Sequence, residues 1–283
     1  MADGVVVITG GAGAMGIACA RKLSDADAVV LVDVRAADLA AAARELKATG
    51  APVHTLVCDV TSQADVDELA ATIRSLGPFR SLVHTAGISP TMASGRQVLD
   101  VDLVGTARVI AALDPLVGVG SAAVCIGSIA GYSDAGLAAD ALLDEPLART
   151  FLDDVDRALG GEIDPDTGYV LAKRGVMRLC ERLSLDWGRR GGRLVSISPG
   201  LIDTPMGRHE LEHQEIMKLM IDFTPVKRAG AGPLPGQAAD IANAAAFLCS
   251  SAAGFISGCD LRVDGGLVGA GRHLASGPEL MRG

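Results

Sequence analysis

The sequence predicts an α/β fold in one domain: a doubly wound parallel sheet of about seven strands, with helices on both faces. Two observations carry this expectation. Short β-rich runs alternate with helical patterns along the chain, the arrangement of strand–helix–strand units. Those runs also stay apolar at successive positions instead of every second one, as strands covered on both faces require.

Taken in order, the strands are Val5 to Ile8, Ala28 to Val32, His54 to Val57, Leu82 to Val83 and Ala122 to Ile126. A sixth fits Arg193 to Ile197 and a seventh Asp260 to Val263. Helical patterns such as Ile17 to Ser24 and Leu39 to Thr49 lie between them. Residues 134–167 are different. Asp140, Asp144, Glu145, Asp153, Asp154, Asp156, Glu162, Asp164 and Asp166 cluster there around Leu147, Phe151, Val155 and Leu159. The four apolar residues recur at every fourth position, one stripe of a helix, and Pro146 suits a first helical turn. A helical insertion is expected, its stripe buried against a lid or a neighbouring subunit; the alternative is a solvated surface excursion. No repeat or low-complexity linker divides the chain, so residues 1–283 read as a single domain.

Apolar residues make up 49% of the chain, enough for a sizeable core, while aromatics are only 3%. Val, Leu, Ile and Ala must therefore fill the interior. A formal net charge of −9 and the lack of a continuous basic run argue against a nucleic-acid surface. Met1 to Gly4 lacks the layout of an export signal, and no apolar run is long enough to span a membrane. A soluble, cytoplasmic protein is expected. Cys19, Cys58, Cys125, Cys180, Cys249 and Cys259 form no C-x-x-C pair and read as reduced core residues.

The first strand runs straight into Thr9-Gly10-Gly11-Ala12-Gly13-Ala14-Met15-Gly16, after which a helical pattern begins. Glycines here permit a tight turn and let backbone N–H groups approach a pyrophosphate, whose charge a helix N-terminus favours. Gly10, Gly13, Ala14, Met15 and Gly16 are the candidate contacts. A glycine string alone is a weak signal; this one has a strand before it, a helix after it and an acid, Asp33, at the end of the second strand. The Asp33 carboxylate can accept hydrogen bonds from the adenosine ribose and repels a 2′-phosphate, so NAD is expected over NADP. Arg35, two residues on, softens that preference. Asp59 and Val60 follow the third strand, where the adenine ring would lie. His84-Thr85-Ala86-Gly87 ends the fourth, with Ala86 and Gly87 small enough for a cofactor to pass close to the backbone.

Tyr169-Val170-Leu171-Ala172-Lys173 sets a phenol and an ammonium one helical turn apart. A free phenol titrates near ~10, and a neighbouring cation brings it toward a useful general acid/base. On its own the spacing reads equally well as a surface pair. Its weight comes from Ser128, placed after the fifth strand to donate to a substrate oxygen, and from Pro199-Gly200-Leu201-Ile202-Asp203-Thr204-Pro205 after the sixth. All of these fall at carboxyl ends of strands, where open α/β sheets bind ligands.

On these motifs, from the glycine turn to Val263-Asp264-Gly265-Gly266, the chain resembles the short-chain dehydrogenase/reductase family over nearly its whole length. The resemblance implies a one-domain Rossmann fold, NAD as cofactor, a small-molecule alcohol or ketone as substrate, and a homodimer or homotetramer. It implies Tyr169 as acid/base, Lys173 as its electrostatic partner and ligand of the nicotinamide ribose, and Ser128 as the group polarising the carbonyl. Pro199 and Gly200 would wall the cofactor, while the Ile202 backbone and the Thr204 hydroxyl would hold its carboxamide. Tyr132, the other tyrosine, has no lysine one turn on. Residues 204–235 correspond to the family's substrate lid.

Three departures stand out. The glycine turn has the T-G-x-x-G-x-x-G spacing of the family's extended branch, with Ala14 where the shorter branch usually has glycine. Asp102, in Val101-Asp102-Leu103-Val104-Gly105, replaces the catalytic asparagine of the N-L-x-G element, which puts the water-mediated proton relay to Lys173 in doubt. The segment between Ser128 and Tyr169 is long and the one between Gly87 and Asp102 short, a pairing similar to the bacterial 3α-hydroxysteroid dehydrogenase/carbonyl reductase subgroup.

His209-Glu210-Leu211-Glu212-His213 fits the zinc motif H-E-x-x-H, but no third ligand is signalled and no metal is expected. The segment reads instead as part of an amphipathic lid continued by Ile216, Met217, Leu219, Met220 and Phe223. With Met206, these suggest an apolar steroid- or terpenoid-like alcohol or ketone. A catalytically weak NAD(H)-binding regulator is the alternative function, since fold does not fix function.

Overall fold

The computed structural model describes residues 4–48, 50, 52–227 and 232–276. Thr49 of the second expected helix, residues 228–231 of the expected lid, and both ends of the expected domain lie outside these. Seven strands form one parallel sheet: β1 (Val5–Thr9), β2 (Ala28–Asp33), β3 (Val53–Val57), β4 (Phe79–His84), β5 (Ala122–Ile126), β6 (Arg193–Pro199) and, last in the chain, β9 (Asp260–Val263). A separate two-stranded ladder joins β7 (Ile202–Asp203) to β8 (Gly236–Gln237), pairing Ile202 with Gly236. The short ladder has too few residues to show a period, and the sequence did not announce it. The helices are α1 (Ala14–Lys22), α2 (Ala36–Lys47), α3 (Gln63–Leu76), α4 (Gly95–Leu99), α5 (Thr106–Leu113), α6 (Phe151–Leu159), α7 (Pro165–Arg189), α8 (Pro205–His213), α9 (Ile216–Phe223), α10 (Ala238–Cys249) and α11 (Leu267–Ser276).

The strand order β3-β2-β1-β4-β5-β6-β9 makes the chain reverse direction across the sheet between β1 and β4. Their carboxyl ends therefore open on a crevice, the usual ligand position in such sheets. Side chains of β1 alternate between two cores. Val5 and Val7 join Leu69 of α3, Ile110 of α5 and Leu179 of α7. Val6 and Ile8 join Cys19 of α1, Leu46 of α2 and Leu248 of α10. Burial on both faces explains why β1, β2 and β5 read as near-continuous apolar runs, whereas β6 is buried throughout yet carries Arg193, Ser196 and Ser198.

The expectation fails at the edges. His54, Thr55 and Val57 of β3 are exposed, and so is Leu261 of β9, because an edge strand has a neighbour on one side only. Five cysteines are buried as expected, but Cys259 is exposed just before β9. No helix among the described residues is long and apolar enough to cross a membrane.

The insertion is helical, with corrections. A 3₁₀ segment covers Leu137–Asp144, and α6 begins only at Phe151, so Pro146 and Leu147 precede it and Leu147 is exposed. Phe151 and Val155 are buried in the same cluster as Leu103 and Leu171, and Leu159 packs on it; the lid has a cluster of its own. The stripe thus closes the chain's own core, not the lid. Nor are the acids merely solvated. Asp140 pairs with Arg174, Asp144 with Arg178, and Asp153 and Asp156 with Arg96, which fixes the insertion to α7 and α4.

Candidate active site

The glycine turn is tightly closed. Gly10 has φ +63°, and a Cβ there would lie 2.8 Å from the Ala86 nitrogen; a Cβ on Gly16 would meet the Gly10 carbonyl at 2.2 Å. Gly13 starts α1 without a side-chain cap, and the first turn, from Ala14 and Met15, carries no acid. Its N–H groups are left to an anion, so the residues present fit a dinucleotide pyrophosphate. Asp33 is nearly buried at the end of β2, accepting from Ala12 N–H (3.2 Å) and Arg35 N–H (3.1 Å). Arg35 also lies 3.5 Å from Asp33 through Nε and 2.9 Å from Asp38. Asp59 is exposed and holds Thr61, while Val60 is buried beneath Gly105, where a Cβ would come within 2.6 Å. Across the crevice, Ala86 N–H donates weakly to Thr9 Oγ1 (3.4 Å), and Gly200 N–H donates to Val263 at 3.0 Å, just after Pro199.

Asp164 caps α7, accepting from Thr167 N–H at 2.9 Å, and Pro165 opens the first turn. That helix carries Tyr169 and Lys173 on one face, with Lys173 Nζ 5.4 Å from the Tyr169 ring centre. The Ser128 hydroxyl, following β5, hydrogen-bonds to Tyr169. Lys173 Nζ donates to the Ile126 carbonyl (3.3 Å) and lies 3.0 Å from Asp102 Oδ2, in a pair whose side chains are 7% and 0% exposed. Asp102 sits on a widened, π-helical turn, Asp100–Gly105, between α4 and α5; its Oδ1 accepts from Ile88 N–H at 2.8 Å. Asp102 thus stands in direct, buried contact with Lys173.

This pairing changes the electrostatics. Burial raises the Tyr169 phenol; Lys173 and the Ser128 hydrogen bond oppose that, Glu210 and Asp102 add to it, and the phenol ends above its ordinary value. The lowering expected from the lysine alone is therefore overridden. Burial acts to lower the Lys173 ammonium, but Asp102 and Tyr169 outweigh it and hold it above the usual lysine value. Asp102 is raised by burial, against the pull of Lys173 and Ile88 N–H. His84, fully buried with Nδ1 2.8 Å from Thr9 Oγ1, is lowered to about 3 by burial and by Lys173, so it is neutral. Tyr132 is pushed up to about 12 by burial and by Asp260, to which its hydroxyl donates at 2.7 Å.

Ser128, Tyr169, Lys173, Asp102, Met15, Gly87, Pro199, Gly200, Ile202 and Thr204 all line one cleft of about 590 Å³; Gly10, Gly13, Ala14, Gly16, Asp33, Asp59, Val60 and Ala86 do not. The Thr204 hydroxyl caps α8, accepting from Gly207 N–H at 3.0 Å. Met206, Met217 and Met220 line the lid side, but Phe223 is 52% exposed and outside the lining. Leu267, Val268 and Arg272 of α11 also form part of the wall, which no local motif announced. The zinc-like motif splits. His209, Glu212 and His213 bring their ligand atoms within 4.8 Å of one another, so a third candidate ligand is present after all; Glu210, the motif's own glutamate, faces the cleft. In the sequence Glu210 belongs to the metal-like motif, and nothing local points it to the cleft.

Two family models match the chain: short chain dehydrogenase over residues 4–139, and Enoyl-(Acyl carrier protein) reductase over residues 158–268. The chain is 34% identical to the short-chain dehydrogenase/reductase bsc3 of Alternaria brassicicola, covering 94% of this chain and 96% of that protein. It is 33% identical to L-fucose dehydrogenase of Bos taurus, over 95% and 91% of the two chains. Its structure matches a 7α-hydroxysteroid dehydrogenase complexed with NADH and 7-oxo glycochenodeoxycholic acid with a TM-score of 0.74, at 26% identity and 93% coverage of both. The doubly wound sheet, the glycine turn, the Ser128–Tyr169–Lys173 cluster and these matches together establish that the chain belongs to the short-chain dehydrogenase/reductase family, oxidoreductases acting on alcohol- or ketone-type substrates.

Proposed function

We propose that the chain interconverts a secondary alcohol and a ketone with NAD(H), using Tyr169 as acid/base on a mainly apolar, steroid- or terpenoid-like substrate. The carrying observation is that Ser128, Tyr169 and Lys173 open on the same cleft as the end of the glycine turn at Met15. A nicotinamide dinucleotide bound along that wall supplies the hydride acceptor or donor. During reduction Ser128 donates to the carbonyl oxygen and Tyr169 delivers the proton; during oxidation the Tyr169 phenolate takes it back. Lys173 acts as a charge fixed by Asp102 and the Ile126 carbonyl, and the third donor of its ammonium would serve the nicotinamide ribose. The Thr204 hydroxyl accepts from Gly207 N–H and donates only at 3.5 Å to the Ile202 carbonyl, a long bond that a carboxamide oxygen would replace.

Asp33 favours NAD over NADP. At ~5 Å and an effective dielectric of ~20, a carboxylate repels each phosphate charge by ~3 kcal/mol, and Arg35 offsets part of this. NADH is expected to bind at least tenfold more tightly than NADPH in a fluorescence titration, and Asp33→Ala to narrow the gap. Equal affinities in the unaltered protein would overturn the assignment. Turnover with NAD and a panel of secondary alcohols tests the reaction. The alternative, a weakly active NAD(H)-binding regulator, draws on the raised Tyr169 phenol, and absence of turnover beside tight NADH binding would select it.

Asp102 sets where the pH profile lies. Its charge disfavours the Tyr169 phenolate, so oxidation should rise late, on the alkaline side. At ~8 Å and an effective dielectric of ~20, a unit charge acts with ~2 kcal/mol, up to about one and a half pKa units. Asp102→Asn should move the rise to lower pH by up to about one unit, with NAD affinity nearly unchanged. The pH dependence of turnover for both proteins measures it, and an unshifted profile would remove Asp102 from the electrostatics of Tyr169.

A further inference from the structure

We infer that Glu210 makes the cleft selective for substrates carrying a second hydroxyl beside the reacting carbinol, a diol or hydroxyketone on an otherwise apolar skeleton. The inference rests on the dehydrogenase reading above and names its substrate class. Glu210 projects from α8 into the cleft that also holds Ser128, Tyr169 and Lys173. It is near enough to the reacting groups that its charge acts on both Tyr169 and Lys173.

An ionised carboxylate offers about four acceptor positions. Among the described residues, the side-chain hydrogen bond to Glu210 comes from the hydroxyl of Ser89, which is wholly buried and held 3.0 Å from Thr91 Oγ1. Much of the surrounding wall is apolar: Ile129, Leu201, Met206, Met217 and Met220. Burial accordingly raises the Glu210 carboxyl, while Ser89, Lys173 and His209 pull the other way. A carboxylate placed in such a wall with one hydroxyl donor has acceptor capacity that a simple alcohol does not use. Once substrate excludes water, that capacity is left unpaired unless the substrate brings a donor. A hydroxyl fits better than an ammonium, because in a largely apolar wall an ammonium gives up far more hydration than a neutral hydroxyl does. During oxidation the reacting carbon gives up its hydride and its hydroxyl proton passes to Tyr169; the second hydroxyl, bound to Glu210, is unchanged.

Sites built to bind a substrate hydroxyl discriminate strongly against analogues lacking it. The test compares kcat/KM for cyclohexane-1,2-diol, cyclohexanol and 2-aminocyclohexanol with NAD, in the unaltered enzyme, Glu210→Gln and Glu210→Leu. NADH affinity serves as the check on folding. The unaltered enzyme should prefer the diol over cyclohexanol by at least about tenfold. Glu210→Leu should reverse that ratio, chiefly through KM for the diol. Glu210→Gln should keep part of it, because the amide oxygen still accepts. Equal use of diol and cyclohexanol, or a diol preference that survives in Glu210→Leu, would overturn the inference while leaving the dehydrogenase reading intact. Preference for the amino alcohol over the diol would overturn the choice of hydroxyl. No turnover of any of the three, with NADH still bound, would overturn the dehydrogenase reading and this inference with it.

Discussion

Lys173→Met is expected to lose both turnover and stability, because it strips the partner from a buried carboxylate. Asp102 has a side chain with 0% exposure, with Lys173 Nζ at 3.0 Å and Ile88 N–H at 2.8 Å as its contacts. Removing one member of such a pair costs about 3–5 kcal/mol, since the remaining charge keeps its desolvation penalty without its attraction. The cost should depend on pH. Without the lysine, the folded-state pKa of Asp102 climbs further above its ordinary 3.8, so the folded protein holds a proton that the unfolded chain releases. Stability of the variant therefore falls as pH rises from about 4 to that folded value, and the deficit levels off above it. Urea unfolding at pH 5.5 and 8 should show the larger loss at pH 8. Adding Asp102→Asn to Lys173→Met should restore most of the stability and none of the turnover. A single-variant loss below about 1 kcal/mol at pH 8 would show that the pair is effectively solvated.

Most of the fold was legible because parallel strands inside a two-faced sheet leave a plain trace. Val5 to Ile8 and Ala122 to Ile126 are apolar at every position since both faces are covered, and both are strands. The trace fades where that cause fades. At β3, three of the four residues read as a buried strand are exposed, because β3 has a partner only in β2. In the insertion, the four-residue period located a helix but put its start too early. Leu147 matches the stripe by spacing yet precedes Thr150, the N-cap residue of α6. Periodicity says which residues share a face, whereas the start of a helix is decided by its first-turn geometry.

The site divides in the same way. Glycines and the Tyr169–Lys173 spacing are set by local geometry, so sequence alone could find them. Contacts between distant segments were less accessible. Asp102 announced itself only as a departure from a family pattern, and its partners, Lys173 and Ile88, come from separate segments. Glu210 carried no usable signal. A glutamate on an amphipathic lid helix reads as surface until the turn after Thr204 aims it at the cleft, and its place in H-E-x-x-H pointed to the wrong chemistry. Leu267 and Arg272 entered the wall through α11, which starts directly after Val263-Asp264-Gly265-Gly266, a motif that marks the end of the last strand and says nothing of the helix beyond it.

Tyr169→Phe should remove the reaction while leaving the binding site standing. The ring still fills its place beside Lys173, and the hydroxyl lost has Ser128 as its hydrogen-bonding neighbour. Proton transfer by a positioned group contributes about 10²–10⁴-fold, so turnover should fall by that factor with NADH affinity changed little. No other group takes over. Tyr132 is tied to Asp260 and pushed up to about 12, and His84 is fully buried with its pKa lowered to about 3. On the proposed mechanism Ser128 would still donate to the substrate oxygen, so a residual rate is expected. The pH profile distinguishes this account from mere structural damage. In the unaltered enzyme oxidation should climb on the alkaline side as the raised phenol ionises, and in Tyr169→Phe the residual rate should be flat over the same range. Steady-state oxidation of one alcohol between pH 6 and 10.5 is the measurement. A variant keeping more than about a tenth of the activity, with the same alkaline rise, would assign the proton transfer to another group. Glu210, the carboxyl facing the same cleft, would then be the first to replace.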